Sequence, residues 1–145
     1  MIPHLDPSTG YLPPGVYPAT WTDVAPCFAG NSHRKHLVSG LEQALRSFAG
    51  AGCPKVLLDG SFVSVKVLPQ DYDAAWEPAG VDPTRLDPVL LDFSRKRAAM
   101  KLKYGGEFFP ATALAAVGVL YREFFQKDKN GVPKGIIEID LGNFP

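Results

Sequence analysis

The sequence predicts a single α/β or α+β domain, and three observations carry that expectation. Apolar residues at helical spacing between Leu37 and Phe48 alternate along the chain with short, strand-like apolar runs at 55–59 and 136–141. Its 145 residues suit one domain with one hydrophobic core. A content of 46% hydrophobic and 21% charged residues is that of an ordinary soluble globular protein.

Residues 1–30 are rich in proline and glycine, as in Tyr11-Leu12-Pro13-Pro14-Gly15, and predict an extended arm. Leu5, Leu12, Val16, Tyr17 and Trp21 give that arm enough apolar surface to lie against the domain. A helix follows over about 33–49: Leu37, Leu41, Leu45 and Phe48 share a face, Asn31 and Ser32 can cap it, and Gly50, Gly52 and Pro54 end it. Residues 55–59 read as a short buried strand stopped by Gly60. A loop or single helical turn over 62–66 leads past Pro69 to a second strand at 71–76, and 78–83 is a turn region.

Pro88, after Asp87, is expected to open a second helix running toward Lys103 and ending at Gly105-Gly106. Glu107-Phe108-Phe109 is too short to classify by period and is compatible with a strand. Leu114, Val117, Leu120, Tyr121 and Phe124 predict a third helix over 112–126. A charged turn at 127–134 then precedes the last strand.

Fifteen basic and fifteen acidic side chains cancel, so composition indicates neither a nucleic-acid nor a membrane partner. No run of about eighteen apolar residues could form a membrane span. The first eighteen residues are interrupted by prolines and glycines rather than built as a leader, so a cytoplasmic protein is expected. Cys27 and Cys53 form no CxxC, which argues against zinc and leaves a single disulfide between them open.

The chemistry concentrates around Leu57-Leu58-Asp59-Gly60-Ser61 and Asp71-Tyr72-Asp73, with nine residues between Ser61 and Asp71. Gly60 lets backbone amides approach an anion closely, and Ser61 adds a hydroxyl beside them. Period two on a strand puts the Asp71 and Asp73 carboxylates on one face and Tyr72 on the other. Two carboxylates so close repel, and a hard cation such as Mg²⁺ relieves them. A triphosphate needs the same cation during transfer.

This pattern of an apolar strand, Gly-Ser, nine residues and Asp-x-Asp resembles the nucleotidyltransferase superfamily that contains DNA polymerase beta and antibiotic-modifying enzymes. Leu58-Asp59-Gly60-Ser61-Phe62-Val63, Pro69-Gln70-Asp71-Tyr72-Asp73, Pro133-Lys134-Gly135-Ile136-Ile137 and the Leu12-Pro13-Pro14-Gly15 arm also look like a family of short bacterial and phage nucleotidyltransferase-like proteins. The resemblance implies an α+β nucleotidyltransferase fold, a small mixed sheet flanked by helices. It implies transfer of a nucleotidyl group from a nucleoside triphosphate to a hydroxyl of a protein, RNA or small molecule, with Mg²⁺ held by Asp71 and Asp73. Short stand-alone members resemble antitoxins that adenylylate a partner toxin, which suggests a toxin–antitoxin or phage-defence role.

A third carboxylate is implied on a later strand; Glu107 is the candidate, with Asp92 and Asp140 as alternatives. Where active members carry a small residue, Arg and Gly after Gly-Ser, this chain has Phe62, Val63 and Ser64, and Lys66 is the candidate replacement for the lost phosphate-binding charge. A surface lysine is the plainer reading of Lys66, and a turn-capping residue that of Asp59. His33 and His36, without a third ligand nearby, read as exposed residues at a helix start. Trp76, Tyr121, Phe124 and Phe125 read first as packing residues. Ser94-Arg95-Lys96-Arg97, Lys101 and Lys103 read as a solvated basic face, with a polyanionic partner as the sharper alternative. The alternative to an enzyme is a binding module of the same fold that has lost turnover and acts through a protein partner.

Overall fold

The structure is a computed structural model, and it describes residues 2–145. Its class is α+β. Five strands form one mixed sheet: β1 (Val16–Thr20), β2 (Lys55–Asp59), β3 (Tyr72–Trp76), β4 (Gly106–Pro110) and β7 (Ile136–Asp140), in the order β1-β7-β2-β3-β4. β1 runs parallel to β7 and β3 parallel to β4, whereas β2 is antiparallel to both neighbours. Two further strands, β5 (Leu114–Ala116) and β6 (Val119–Leu120), pair only with each other.

Strand alternation divides the apolar residues between two cores. Val56, Leu58, Ala74, Trp76 and Phe108 point to one face. There α2 (Ser32–Gly50) presents Leu37, Leu41, Leu45 and Phe48, the face its spacing predicts. Phe48 packs its ring 5.4 Å from Trp76 and 5.5 Å from Phe108, which makes Trp76 a core residue. Leu57, Ala75, Phe109 and Ile136 point to the other face, under Phe125 and Tyr121. That second core is small, so the sheet's second face keeps room for polar side chains.

Asn31 caps α2 by accepting from the Arg34 amide at 2.8 Å. Cys27 and Cys53 are both free, which closes the disulfide alternative. Among the described residues no helix is long and apolar enough to cross a membrane.

Three sequence expectations are corrected. Residues 16–27 belong to regular structure rather than to an extended arm: β1 adds to the sheet edge and α1 (Trp21–Cys27) follows at once. The reason is local, since Thr20 and Asp23 form a reciprocal capping box at the start of α1.

The helix expected from Pro88 is broken. Pro88–Leu91 is a single 3₁₀ turn, and Asp92 then bonds the Ser94 amide at 3.0 Å. α3 (Ser94–Tyr104) begins with Arg95, Lys96 and Arg97 at φ of 52°, 54° and 63°, so right-handed helix starts only after them.

The helix expected over 112–126 is instead the β5–β6 ribbon followed by one turn, α4 (Tyr121–Phe124). Gly118, at φ 71°, turns the chain back where a helix would continue. Leu114 and Val117, which the helical spacing assigned to an apolar face, stand exposed on that ribbon.

Candidate functional site

Three neighbouring strands carry carboxylates to one face in direct register. Asp59 at the end of β2 lies opposite Asp73 on β3, and Asp73 lies opposite Glu107 on β4. Each shares its face with the small second core, because Leu57, Ala75 and Phe109 are its period-two neighbours. Asp71 stands one residue before β3, in the parity of Asp73.

The four carboxylates differ in environment. Burial, the hydrogen bond to Glu107 and the surrounding negative charges push Asp73 up to about 7. Glu107 is lowered: although burial opposes it, hydrogen bonds from Arg97, Asp73 and Lys101 favour its charged form. Arg97 Nε stands 2.9 Å and Lys101 Nζ 3.2 Å from Glu107 Oε1. Protonation is therefore favoured at Asp73 and the charged form at Glu107. Asp71 is raised by burial and by Glu107, with Lys101 and Lys66 opposing. Burial raises Asp59 as well, against its ion pair with Lys134.

The turn that follows β2 depends on Gly60, whose φ is 97°. A Cβ there would lie 3.1 Å from the Asp73 amide nitrogen, so glycine also permits the close approach of turn and strand. No helix follows Ser61, so any anion held here meets backbone amides rather than a helix terminus. Among the described residues the Ser61 and Phe62 amides donate to no protein acceptor. Phe62 and Val63 are buried, with the Phe62 ring 5.5 Å from Phe28 and 6.0 Å from Tyr72. The two residues directly after Ser61 thus serve packing here.

Arg34 is the main residue that sequence reasoning missed. Buried on α2, it donates to the carbonyls of Phe28 (3.3 Å), Phe62 (2.8 Å), Ser64 (2.9 Å) and Lys66 (2.6 Å). Asn31 and His33 add bonds to the carbonyls of Val67 and Pro69. The N-terminal turn of α2 therefore grips the whole loop that connects Ser61 to β3. Only the position of an arginine on the apolar-facing side of the predicted helix hinted at this. His33 is half-buried by that bond, whereas His36 is exposed.

A cavity of about 930 Å³ opens beside this turn. Gly60, Ser61, Lys66 and Asp73 line it, together with Phe124, Lys127, Lys129 and Lys134. The structure thus gathers four of the expected site residues around one space. Asp71 and Glu107 lie outside its lining. Among the described residues no three His, Cys, Asp or Glu side chains form a ready cluster for a metal ion, and Glu107 is turned to Arg97 and Lys101 instead. The donor set still suits a hard divalent cation in kind: oxygen ligands only, with the Asp73 and Glu107 carboxylates in direct register on neighbouring strands. Asp92 and Asp140 serve elsewhere, capping Ser94 and Gly142. The basic residues 94–103 are not simply solvated, since Arg97, Lys101 and Lys103 form ion pairs.

A family model matches residues 3–140, described as a family of unknown function, DUF6932. The chain belongs to this family. The DUF6932 match spans every strand of the main sheet and the lining of the cavity. No curated protein and no solved structure matches the chain.

Proposed function

We propose that the protein is a Mg²⁺-dependent nucleotidyltransferase with the fold of that superfamily. The observation that carries the reading is the register of Asp73 against Glu107, next to a Gly60-Ser61 turn that opens on a cavity of nucleotide size. The Ser61 hydroxyl and the amides after Gly60 bind the phosphates, and Arg34 holds that turn in place through its carbonyls. Asp71, Asp73 and Glu107 would hold Mg²⁺, which supplies charge neutralisation at the phosphate oxygens. An acceptor hydroxyl on a protein, RNA or small molecule bonds to the α-phosphorus. Its proton passes to the carboxylate pair, and the bridging P–O bond breaks to release pyrophosphate.

The test is incubation with each α-labelled nucleoside triphosphate, Mg²⁺ and extract from cells lacking the protein. Label transferred to an acceptor with stoichiometric pyrophosphate supports the reading; absence of both, with all four nucleotides, counts against it.

One observation favours the second reading, a binding module of the same fold without turnover. Glu107 is already occupied by two cations, and Phe62 and Val63 are given to packing. On that reading the cavity binds nucleotide, and no labelled acceptor appears.

A further inference from the structure

Lys134 lies in a segment that carries the sequence resemblance, but neither the resemblance nor the proposed reaction gives it a role. It lies at the end of the 127–134 turn and lines the same cavity as Gly60 and Ser61. Its side chain is 12% exposed, and Nζ stands 2.9 Å from Oδ1 of the more deeply buried Asp59. The ammonium also sits 5.6 Å from the centre of the Tyr11 ring. Tyr11 is itself fixed, its hydroxyl donating to Asp128 at 2.9 Å. Asp128 in turn accepts the amides of Asn130 and Val132, which shapes the turn. The Lys134 amide bonds the Gln126 carbonyl, and Gly135 bonds that of Leu12.

An ammonium carries three donors, and Asp59 accepts one of them. A buried ion pair is a weak source of stability, because desolvating both charges offsets their attraction. Holding one at the edge of a cavity therefore suits a ligand better than it suits folding. The carboxylates lining the cavity are Asp59, Asp73, Glu123 and Asp128, of which Asp59 and Asp128 are already engaged as described. Lys66, the candidate from sequence, also lines the cavity but is exposed, whereas Lys134 is held by Asp59 and the Tyr11 ring.

We infer that Lys134, fixed by Asp59 and Tyr11, is the cation of a polyphosphate-binding site that spans from it to the Gly60-Ser61 turn. The inference deepens the reading of the cavity as a nucleotide site and rests on it. It assigns the triphosphate chain to the Lys134 side of the cavity.

The test is metal-free binding of inorganic tripolyphosphate in EDTA, followed by calorimetry, so that the carboxylates play no part as metal ligands. Lys134→Met paired with Asp59→Asn leaves no stranded charge, and thermal unfolding checks that it folds. This double variant should bind tripolyphosphate at least tenfold more weakly than wild type. Asp59→Asn alone should bind severalfold more tightly, because Lys134 loses the carboxylate that neutralises it. Lys134→Arg should retain binding. A merely structural role would not give opposite signs for the two partners. A folded double variant that binds like wild type, or a wild type that binds no tripolyphosphate in EDTA, overturns the inference. Neither result touches the metal-dependent reading, which Asp73→Asn tests separately.

Discussion

Asp73 on β3 faces Glu107 across the parallel ladder to β4, and burial beside that carboxylate raises the Asp73 pKa to about 7. The arrangement costs the protein stability when the proton leaves, because Asp73 is buried among other carboxylates. It is also what a divalent cation would relieve. Stability and the proposed chemistry are therefore coupled at one position.

The pH dependence follows from that coupling. Asp73 rises from 3.8 to about 7 on folding, so between those values the native state holds a proton that the unfolded chain does not. Stability contributed by this group is full below pH 3.8 and falls as pH rises through 7. Asp73→Asn, which carries no titrating proton, should melt near wild type at pH 4 and above it at pH 8. A gain of about 3 °C, equivalent to ~1 kcal/mol in a chain this long, is expected at the higher pH. Millimolar Mg²⁺ should raise the wild-type Tm at pH 8 and leave the variant unmoved. Melting curves at both pH values check this.

The left-handed residues before α3 predict a stabilising substitution. Lys96 is exposed and held at φ 54°, where a side chain costs about 1 kcal/mol and glycine does not. Lys96→Gly should raise the Tm by a few degrees, whereas the same change at exposed Lys35, inside α2, should lower it. Arg97, the third residue of that run, reaches Glu107, so the turn has a placing role.

Arg34 should be irreplaceable by lysine. Its fork serves four carbonyls at once, which a single ammonium cannot reach. Arg34→Lys should cost roughly 2–3 kcal/mol in denaturant melts, the order expected for stranded buried carbonyls. Amide exchange of residues 61–68 should accelerate more than that of β2.

Much of the fold was legible where local pattern and tertiary packing agree. The α2 face formed by Leu37, Leu41, Leu45 and Phe48 was readable because burial on one face leaves a period, and the strand at Lys55–Asp59 because a short apolar run stopped by Gly60 suits a buried strand, whereas Glu107-Phe108-Phe109 was too short to give a period. The region 112–126 was not, since Leu114, Val117 and Tyr121 meet a helical spacing by coincidence. Gly118 and a small sheet face override it. β1 was hidden among prolines, as an edge strand tolerates Pro18.

At the site, Gly60, Ser61 and Asp73 were readable from spacing. Arg34 and Lys134 were not, because their partners lie 28 residues or more away, in Phe62 and Asp59, and no local signal marks a distant carbonyl or carboxylate.

The most direct measurement is calorimetric titration of ATP and GTP into wild type and Asp73→Asn, with Mg²⁺ and with EDTA. The account predicts tight binding by wild type in Mg²⁺, at least tenfold weaker binding in EDTA, and no Mg²⁺ enhancement in the variant. Equal binding by both proteins under both conditions would contradict it, as would no nucleotide binding by wild type in Mg²⁺.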